Sequence, residues 1–211
     1  MPFVLEIVNL DKLPPADEIL ADEEKAVFNS FKFEKRKKDW LGGRFAAKTA
    51  VLKYHPAISC RDAVIKNDAN RKPSLFIKDI PSAIPISISH CAGFAAAAAG
   101  GADIKAIGVD VEKIETRPGS WIEEAFHPGE RLQSGNRFFT ALWTKKEALL
   151  KALGIGLNAD LWDIRFTNDR PEFSGTALAA WQKAGQPRLR IITCEKPSGC
   201  MLSVAIGESN G

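Results

Sequence analysis

Residues 138–154 read FFTALWTKKEALLKALG, and the spacing of their apolar residues is typical of an amphipathic helix. When the chain is shifted by 98 residues, the segment KTAVLK (48–53) falls on KEALLK (146–151) in this helix. The same shift pairs further apolar positions: Phe28 with Phe126, Leu41 with Phe139, and Phe45 with Trp143. Two amphipathic helices can match by chance, but matches in one register beyond a single helix favour two related halves packed side by side. The repeat differs where Thr49 corresponds to Glu147, so only the second half has an acid there.

The remaining patterns predict a mixed α+β chain. Alternation predicts a strand at Phe3–Asn9, and the acidic start at Asp17 predicts a helix through residue 33. A second helix is predicted from about Lys35 to Tyr54, where Pro56 stops it. Short apolar runs at 62–66, 75–78, 85–89 and 93–99 are predicted to be strands or loops, and strands are predicted at 104–114, 161–166, 188–194 and 200–206. The run AGFAAAAAG is helical by composition, but its glycines and short length favour a strand.

The composition excludes several classes of protein. Apolar residues make up 45% and charged residues 26% of 211, and the net charge of +3 is too small to indicate nucleic acid. The four cysteines show no CxxC pair or zinc spacing and suit a reducing compartment. The N-terminus lacks a basic region, and the longest apolar stretch, 92–101, is too short to span a bilayer. We therefore expect a cytoplasmic protein that binds neither nucleic acid nor a membrane.

Two acidic segments indicate a magnesium site. In the strand GVDVE, alternation places Asp110 and Glu112 on one face, and their mutual repulsion is relieved by a cation or by solvent. On the predicted helix, Glu147 and Lys151 are four residues apart and therefore neighbours. Each pair alone is explained as well by a solvated strand face or a surface ion pair. Together they form a three-acid, oxygen-only site that suits magnesium, beside a lysine that can neutralise phosphate or carry a proton.

A serine-rich strand and a basic helix supply groups that can bind phosphate. Alternation in ISISH places Ser87 and Ser89 on one face, with His90 at the end of the strand, although an isolated histidine is more often only hydrogen-bonded. Basic residues also cluster in the first half of the chain, at Lys35, Arg36, Lys37, Lys38, Arg44, Lys48, Arg71 and Lys72. Such clusters are usually solvated, but Lys37, Arg44 and Lys48 share one side of the predicted helix and could follow a nucleotide's phosphates. The chain has no Walker A or GxGxxG motif.

Taken together, these segments resemble the 4′-phosphopantetheinyl transferases of the two-half, surfactin-synthetase-activator type. The matching stretches are FKFEKRKKDWLGGRFAAK (31–48), RKP (71–73), SISH (87–90), IGVDVE (107–112) and FFTALWTKKEALLKALGIGL (138–157). They follow the order of the family, and the last two are specific as a pair. The C-terminal third carries no matching motif.

The resemblance implies an α+β fold, a pseudo-dimer of two similar halves that each pack a small antiparallel sheet against a long helix. Residues 1–104 would form the nucleotide-binding half and residues 105–211 the half with the metal ligands and the catalytic helix. The protein would be a monomer with internal pseudo-two-fold symmetry. It would transfer phosphopantetheine from coenzyme A to a serine of an acyl or peptidyl carrier protein, with Mg²⁺ as cofactor, and release adenosine 3′,5′-bisphosphate.

The resemblance also implies residue roles. Asp110, Glu112 and Glu147 would hold magnesium, and Glu147 or Lys151 would deprotonate the serine, directly or through water. Phosphate groups of coenzyme A would contact Ser87, Ser89, the catalytic-site residue His90, Asp110 through the metal, and Lys151. The nucleotide end would contact Lys35, Arg44, Arg71, Lys72 and Pro73.

Two departures from the family pattern limit the transfer of roles. Asp110 and Glu147 are separated by only 37 positions, so the intervening loop, which would contact the carrier protein, is short. The stretch DEILADEEK before the first long helix is acidic where some members are basic. Two other functions stay open: a magnesium-dependent nuclease, although a lysine two residues after the acid is the usual spacing there, and a non-catalytic homologue that binds coenzyme A or the carrier protein.

Overall fold

The computed structural model describes residues 2–69, 71–156 and 159–208. The end of the stretch 138–157 quoted above therefore lies outside the described residues. The first half begins with β1 (Phe3–Asn9) and three helices, α1 (Ala16–Ile19), α2 (Asp22–Ser30) and the long α3 (Glu34–Leu52). It continues with β2 (Ala63–Asn67), β3 (Pro73–Ile77), β4 (Ile80–Pro81), β5 (Ile86–Cys91) and β6 (Phe94–Gly100).

The second half repeats this order of elements. It begins with β7 (Ile104–Lys113), followed by α4 (Gly119–Ala125), a 3-10 turn (Pro128–Leu132) and the long α5 (Asn136–Ala152). It ends with β8 (Ile164–Thr167), β9 (Arg170–Phe173), α6 (Gly175–Lys183), β10 (Arg188–Cys194) and β11 (Cys200–Glu208). No helix in the described ranges is both long enough and apolar enough to cross a membrane.

The sheets of the two halves have the same topology. In the first half the strand order is β1-β6-β5 and in the second half it is β10-β11-β7, both antiparallel. In each sheet the last strand of the half therefore lies between its first and its penultimate strand. A small antiparallel hairpin, β2-β3 or β8-β9, follows the long helix in each half. This common topology confirms the predicted α+β pseudo-dimer.

The two sheets pack face to face, and each long helix covers the outer face of its own sheet. Ala96 and Ala98 of β6 share a core with Val109 and Val111 of β7. On the other side of β6, Ala97 and Ala99 pack with the small residues of α3. The alanine run is therefore a strand, as its short length predicted. It is buried on both faces, because the small alanine side chain lets a helix and a second sheet both pack closely against it.

The sequence-based elements were correct in type but incomplete. The helix predicted from Asp17 is two helices, since α1 ends at Ile19 and the carboxylate of Glu24 accepts from the Ala21 N–H to begin α2. The strands β4 and β9 and the helices α4 and α6 were missed. The predicted helix end is confirmed: α5 stops at Ala152, and Gly154 has a φ of 73° that favours glycine.

Helix α5 lies directly on the backbone of β7 at Gly108. A Cβ atom at this position would lie 1.9 Å from the Ala148 carbonyl oxygen and 2.6 Å from the Ala152 nitrogen. Both contacts are with helix backbone, which cannot rotate away as a side chain can. Glycine at this position therefore sets how closely Glu147 and Lys151 approach the strand that carries Asp110.

We expect Gly108→Ala to lower the free energy of unfolding by about 3 kcal/mol, because α5 must move away from β7. Gly119→Ala is the matched control, since a Cβ there would meet nothing within 4 Å in the described part of the chain. Its effect should stay within about 0.5 kcal/mol. Urea unfolding of both variants measures the difference, and equal stabilities would contradict the close approach.

Candidate active site

A cleft of about 760 Å³ lies between the two halves. All sequence-predicted site residues except Lys35 line it: Arg44, Arg71, Lys72, Pro73, Ser87, Ser89, His90, Asp110, Glu112, Glu147 and Lys151. One wall comes from α3, the β2-β3 hairpin and β5 of the first half, and the other from β7 and α5 of the second half. Motifs that are far apart in sequence therefore meet at the interface between the halves.

Three charged side chains meet at the base of the cleft. The Lys151 ammonium donates to Asp110 Oδ1 at 2.7 Å and to the Val109 carbonyl at 3.1 Å. Ser89 Oγ donates to the same Asp110 oxygen at 2.9 Å. Glu147 lies one helical turn before Lys151, and its side chain and that of Asp110 are only about 5% and 4% exposed. The structure thus brings Asp110 of β7 next to Glu147 and Lys151 of α5, as the sequence predicted.

Two carboxylate oxygens in this group have no hydrogen-bond partner among the described residues. Asp110 Oδ2 and Glu147 Oε1 are buried and accept no hydrogen bond from the described residues. Burial, and then repulsion from Asp110, raises the pKa of Glu147 to about 7, against the opposing effect of Lys151. Buried oxygens of this kind are costly unless they bind something, and they face a cleft that can admit a ligand.

Glu112 occupies a more exposed position on the same strand. The Arg117 guanidinium lies 3.5 Å from its Oε2. Burial, and then repulsion from Asp110, still raises the pKa of Glu112. Within the described ranges, no three acidic, histidine or cysteine side chains form a preformed metal cage. The assignment of Glu112 as the third metal ligand stays a prediction.

The serines of β5 join the two halves. β7 is an edge strand of its sheet, and its outer N–H groups face β5. Ser87 Oγ accepts from the Val109 N–H at 3.0 Å, and Ser89 Oγ accepts from the Val111 N–H at 3.3 Å. Both side chains are buried, so their hydroxyls complete the edge of β7 and orient Asp110. Phosphate binding by these serines stays a prediction, whereas His90 is exposed at the end of β5 and borders the cleft.

The first-half wall is basic and aromatic. The Arg44 guanidinium lies over the Trp40 ring at 4.4 Å, its Nε is 3.6 Å from Glu24 Oε1, and an Nη is 3.5 Å from Asn67 Oδ1. Burial lowers the pKa of Arg44 to about 10, against the opposing effect of Glu24. Exposed Arg71 and Lys72 border the same wall on the β2-β3 loop.

The structure corrects the basic stripe inferred on α3. Lys48 is fully buried and pairs with Glu24, and Lys37 pairs with Glu34 at 2.9 Å, so neither belongs to the cleft wall. Lys35 is exposed outside the cleft, whereas its neighbour Arg36 lines it. Sequence alone could not choose among four consecutive basic residues, because their direction depends on how α3 packs.

The donor set fits a divalent, oxygen-binding cation together with a polyanion. Asp110 and Glu147 offer free carboxylate oxygens, which are the ligands that Mg²⁺ takes in proteins beside substrate phosphates and water. Lys151, Arg44 and the Arg71-Lys72 segment surround them with positive charge that suits phosphate groups. The arrangement can therefore hold a phosphate ester between a metal and cations while a carboxylate accepts a proton.

Known proteins match both halves of the chain. The model of the 4′-phosphopantetheinyl transferase superfamily matches residues 106–191, and that of the 4′-phosphopantetheinyl transferase N-terminal domain matches residues 22–100. A holo-[acyl-carrier-protein] synthase of Geobacillus sp. (strain WCH70) is 40% identical over 86 residues, which are 38% of this chain and 71% of that protein. The chain belongs to the 4′-phosphopantetheinyl transferase superfamily.

Other members of the superfamily differ in how much of the chain they cover. A phosphopantetheinyl transferase of Thraustochytrium sp. (strain ATCC 26185 / S-3) is 31% identical over 182 residues, 75% of this chain and 60% of that protein. The structure of a holo-(acyl-carrier-protein) synthase from Bacillus anthracis str. Ames in complex with CoA (3′,5′-ADP) is 27% identical. It covers 46% of this chain and 92% of that chain, with a TM-score of 0.41.

Within this superfamily member, sequence reasoning missed several residues around the cleft. Arg36, Asp39, Trp40, Asn67 and Trp143 line it, and Arg117 pairs with Glu112. Trp40 and Trp143 stand in the matching stretches, so their position beside the motif residues was the available signal. Asn67 and Arg117 lie in segments with no motif, and only the fold brings Asn67 to the cleft and Arg117 beside Glu112.

We expect Glu147→Gln to be more stable than wild type in EDTA at about pH 8, by roughly 1–3 kcal/mol, since the amide buries no charge. The Glu147 carboxyl has a pKa near 4.5 when unfolded and about 7 when folded. Between these two pH values the folded state keeps a proton on Glu147 that the unfolded state has released. The wild type therefore loses stability as the pH rises through this window. The gain should be complete above about pH 7 and absent below 4.5.

Urea unfolding at pH values above and below this window measures the gain. Glu172→Gln, at an exposed carboxylate of β9, is the control and should change stability little at either pH. A Glu147→Gln variant no more stable than wild type at the higher pH would contradict the conclusion that the buried charge of Glu147 destabilises the folded state.

Proposed function

We propose that the protein transfers the 4′-phosphopantetheine group of coenzyme A to a serine of a carrier protein, and releases adenosine 3′,5′-bisphosphate. The observation that carries this proposal is the meeting of Asp110, Glu147 and Lys151 at the base of a cleft with a basic opposite wall. Membership of the superfamily supports it, since its relatives include a holo-[acyl-carrier-protein] synthase and a phosphopantetheinyl transferase.

The charges of the cleft suggest how coenzyme A binds. Its nucleotide end would lie against Arg44, Arg71 and Lys72 of the first half, with Arg36 in the place that sequence reasoning gave to Lys35. Its pyrophosphate would then lie near Lys151, and His90 would contact a phosphate from the end of β5. The phosphopantetheine arm would leave the cleft on the side where the carrier protein binds.

Asp110 and Glu147 would hold Mg²⁺ through their free oxygens, with Glu112 as the third acid. When bound, the metal would stabilise negative charge that develops on the pyrophosphate oxygens during transfer. Ser89 and Lys151 hold Asp110 in a fixed orientation through Oδ1, which leaves Oδ2 for the ligand. Glu112 would have to exchange its contact with Arg117 for one with the metal.

In the transfer, a bond forms between the serine oxygen of the carrier protein and the β-phosphorus of coenzyme A. The bond from this phosphorus to the bridging pyrophosphate oxygen breaks, and adenosine 3′,5′-bisphosphate leaves. The serine must also lose its proton. Of the two candidate bases, the Lys151 ammonium already donates two hydrogen bonds and acts here as a donor. Glu147 is a carboxylate, and besides the Oε1 assigned to the metal it has a second oxygen that can accept a proton. We therefore assign proton acceptance to Glu147, directly or through a water.

Incubation with MgCl₂, coenzyme A and an apo carrier protein should add one phosphopantetheine to the carrier, as measured by mass spectrometry. EDTA should abolish the adduct, and Asp110→Asn should lower the rate by roughly 100-fold or more without unfolding the protein. A carrier whose acceptor serine is replaced by alanine is the control. If no carrier of the fatty acid, polyketide or peptide type is modified, the proposal fails; plasmid cleavage abolished by Glu147→Ala would support the nuclease instead.

The two neighbouring basic residues of α3 test the position of coenzyme A. Arg36→Ala should raise KM for coenzyme A roughly 3- to 10-fold by removing a cleft cation, with kcat little changed. Lys35→Ala is the matched control, because that side chain is exposed outside the cleft. If Lys35→Ala raised this KM more than Arg36→Ala, the nucleotide contact would have to be assigned to Lys35, as the sequence alone suggested.

A further inference from the structure

Each half of the protein buries one lysine of its long helix. Lys48 of α3 and Lys146 of α5 are both fully buried, and each forms an ion pair with a buried glutamate of its own half. Lys48 pairs with Glu24, and Lys146 lies 2.8 Å from Glu130. The two lysines are 98 residues apart, the same shift that aligns the two helices in the sequence. We call each unit a glutamate–lysine clamp.

The two clamps share a pattern of hydrogen bonds, to which Lys146 adds one to the Leu161 carbonyl at 3.3 Å. Each carboxylate accepts from the N–H three residues before it, Ala21 for Glu24 at 3.2 Å and His127 for Glu130 at 2.9 Å. The other oxygen accepts from the third residue of the following hairpin's first strand, Ile65 at 3.1 Å or Phe166 at 2.8 Å. Each lysine also donates to the carbonyl five residues before its glutamate, Ile19 at 2.8 Å or Ala125 at 3.2 Å.

A clamp of this kind fixes the helix that carries its lysine. Burial lowers the pKa of both lysines, and the partner glutamate opposes this effect. A buried charge must stay paired, so the helix cannot rotate or slide without leaving a charge unpaired in the core. The glutamate in turn is held by backbone groups of a turn and a strand, which places the helix relative to the rest of its half.

The clamps differ in what their helices present to the cleft. In α5 the residue after the clamp lysine is Glu147, whereas in α3 it is Thr49. In α3 the residue four before the lysine is Arg44, whose Nε lies 3.6 Å from Glu24, whereas α5 has Leu142 at that position. One repeated anchor therefore supports an acid in one half and an arginine in the other.

We propose that the two clamps position the two sides of the active site separately, with Glu130 acting through Lys146 on Glu147, and Glu24 acting directly on Arg44. Glu130 and Glu24 are thus positioning residues, the first for the metal and proton transfer, the second for the binding of coenzyme A. The assignment rests on the proposed function, because it names which step each clamp serves.

The test compares Glu130→Gln with its counterpart Glu24→Gln, the same change in the same bonding pattern. Glu130→Gln should lower kcat roughly 10- to 100-fold and leave KM for coenzyme A within about threefold. Glu24→Gln should raise that KM roughly tenfold and lower kcat much less. In calorimetric titrations, Glu130→Gln should weaken binding of MgCl₂ alone, and Glu24→Gln should weaken binding of coenzyme A without metal. The same kinetic pattern in both variants, or the reverse pattern, would overturn the proposal.

If Glu130→Gln does not fold, a double variant takes its place in the test. This variant, Glu130→Gln with Lys146→Met, has both charges removed. Because no buried charge is left unpaired, this protein should fold, yet its kcat should stay as low as that of the single variant. Wild-type kcat in the double variant would overturn the positioning role. If wild type binds MgCl₂ and coenzyme A but modifies no carrier, the proposed function fails. The two calorimetric titrations then still test the positioning roles of the two clamps.

Discussion

The backbone contact between Gly108 and α5 is the constraint on which the active site depends. It brings α5 so close to β7 that no side chain fits between the strand and the helix. The acid of the strand and the acid–lysine pair of the helix then occupy the same small volume, with Lys151 Nζ 2.7 Å from Asp110. A strand with a side chain at this position would keep the same residues but hold them too far apart to act on one ligand.

This proximity makes the site electrostatically costly. Two buried carboxylates face each other, and the single ammonium of Lys151 is bound to only one of them. Burial, and then repulsion from Asp110, keeps the pKa of Glu147 near 7, and two carboxylate oxygens accept no hydrogen bond from the described residues. Such unpaired groups collect at functional sites because the ligand, rather than the protein, completes them. Stability elsewhere has to offset them, and the apolar packing on both faces of β6 contributes to it.

The two halves show how one architecture became asymmetric. Strand order, hairpin position and the buried clamp are all repeated. The first half has Thr49 where the second has Glu147, and the second has Leu142 where the first has Arg44. Repeated residues hold the fold, whereas Arg44 and Glu147, each present in only one half, line the cleft.

The sequence by itself determined the element types, the repeat and the set of motif residues. Periodicity and glycine placement are local, so β1, the long helices and the acid pairs could be found from them. The site residues Arg44, Asp110, Glu147 and Lys151, named from the sequence, all line one cleft. Only the tertiary structure decided which way each long side chain points. Lys48 had the spacing of a phosphate ligand and is instead a buried anchor, while Arg36 rather than Lys35 reaches the cleft. The reason is physical: a helix shows in its sequence which residues share a face, but what that face meets depends on partners such as Glu24, distant in the chain.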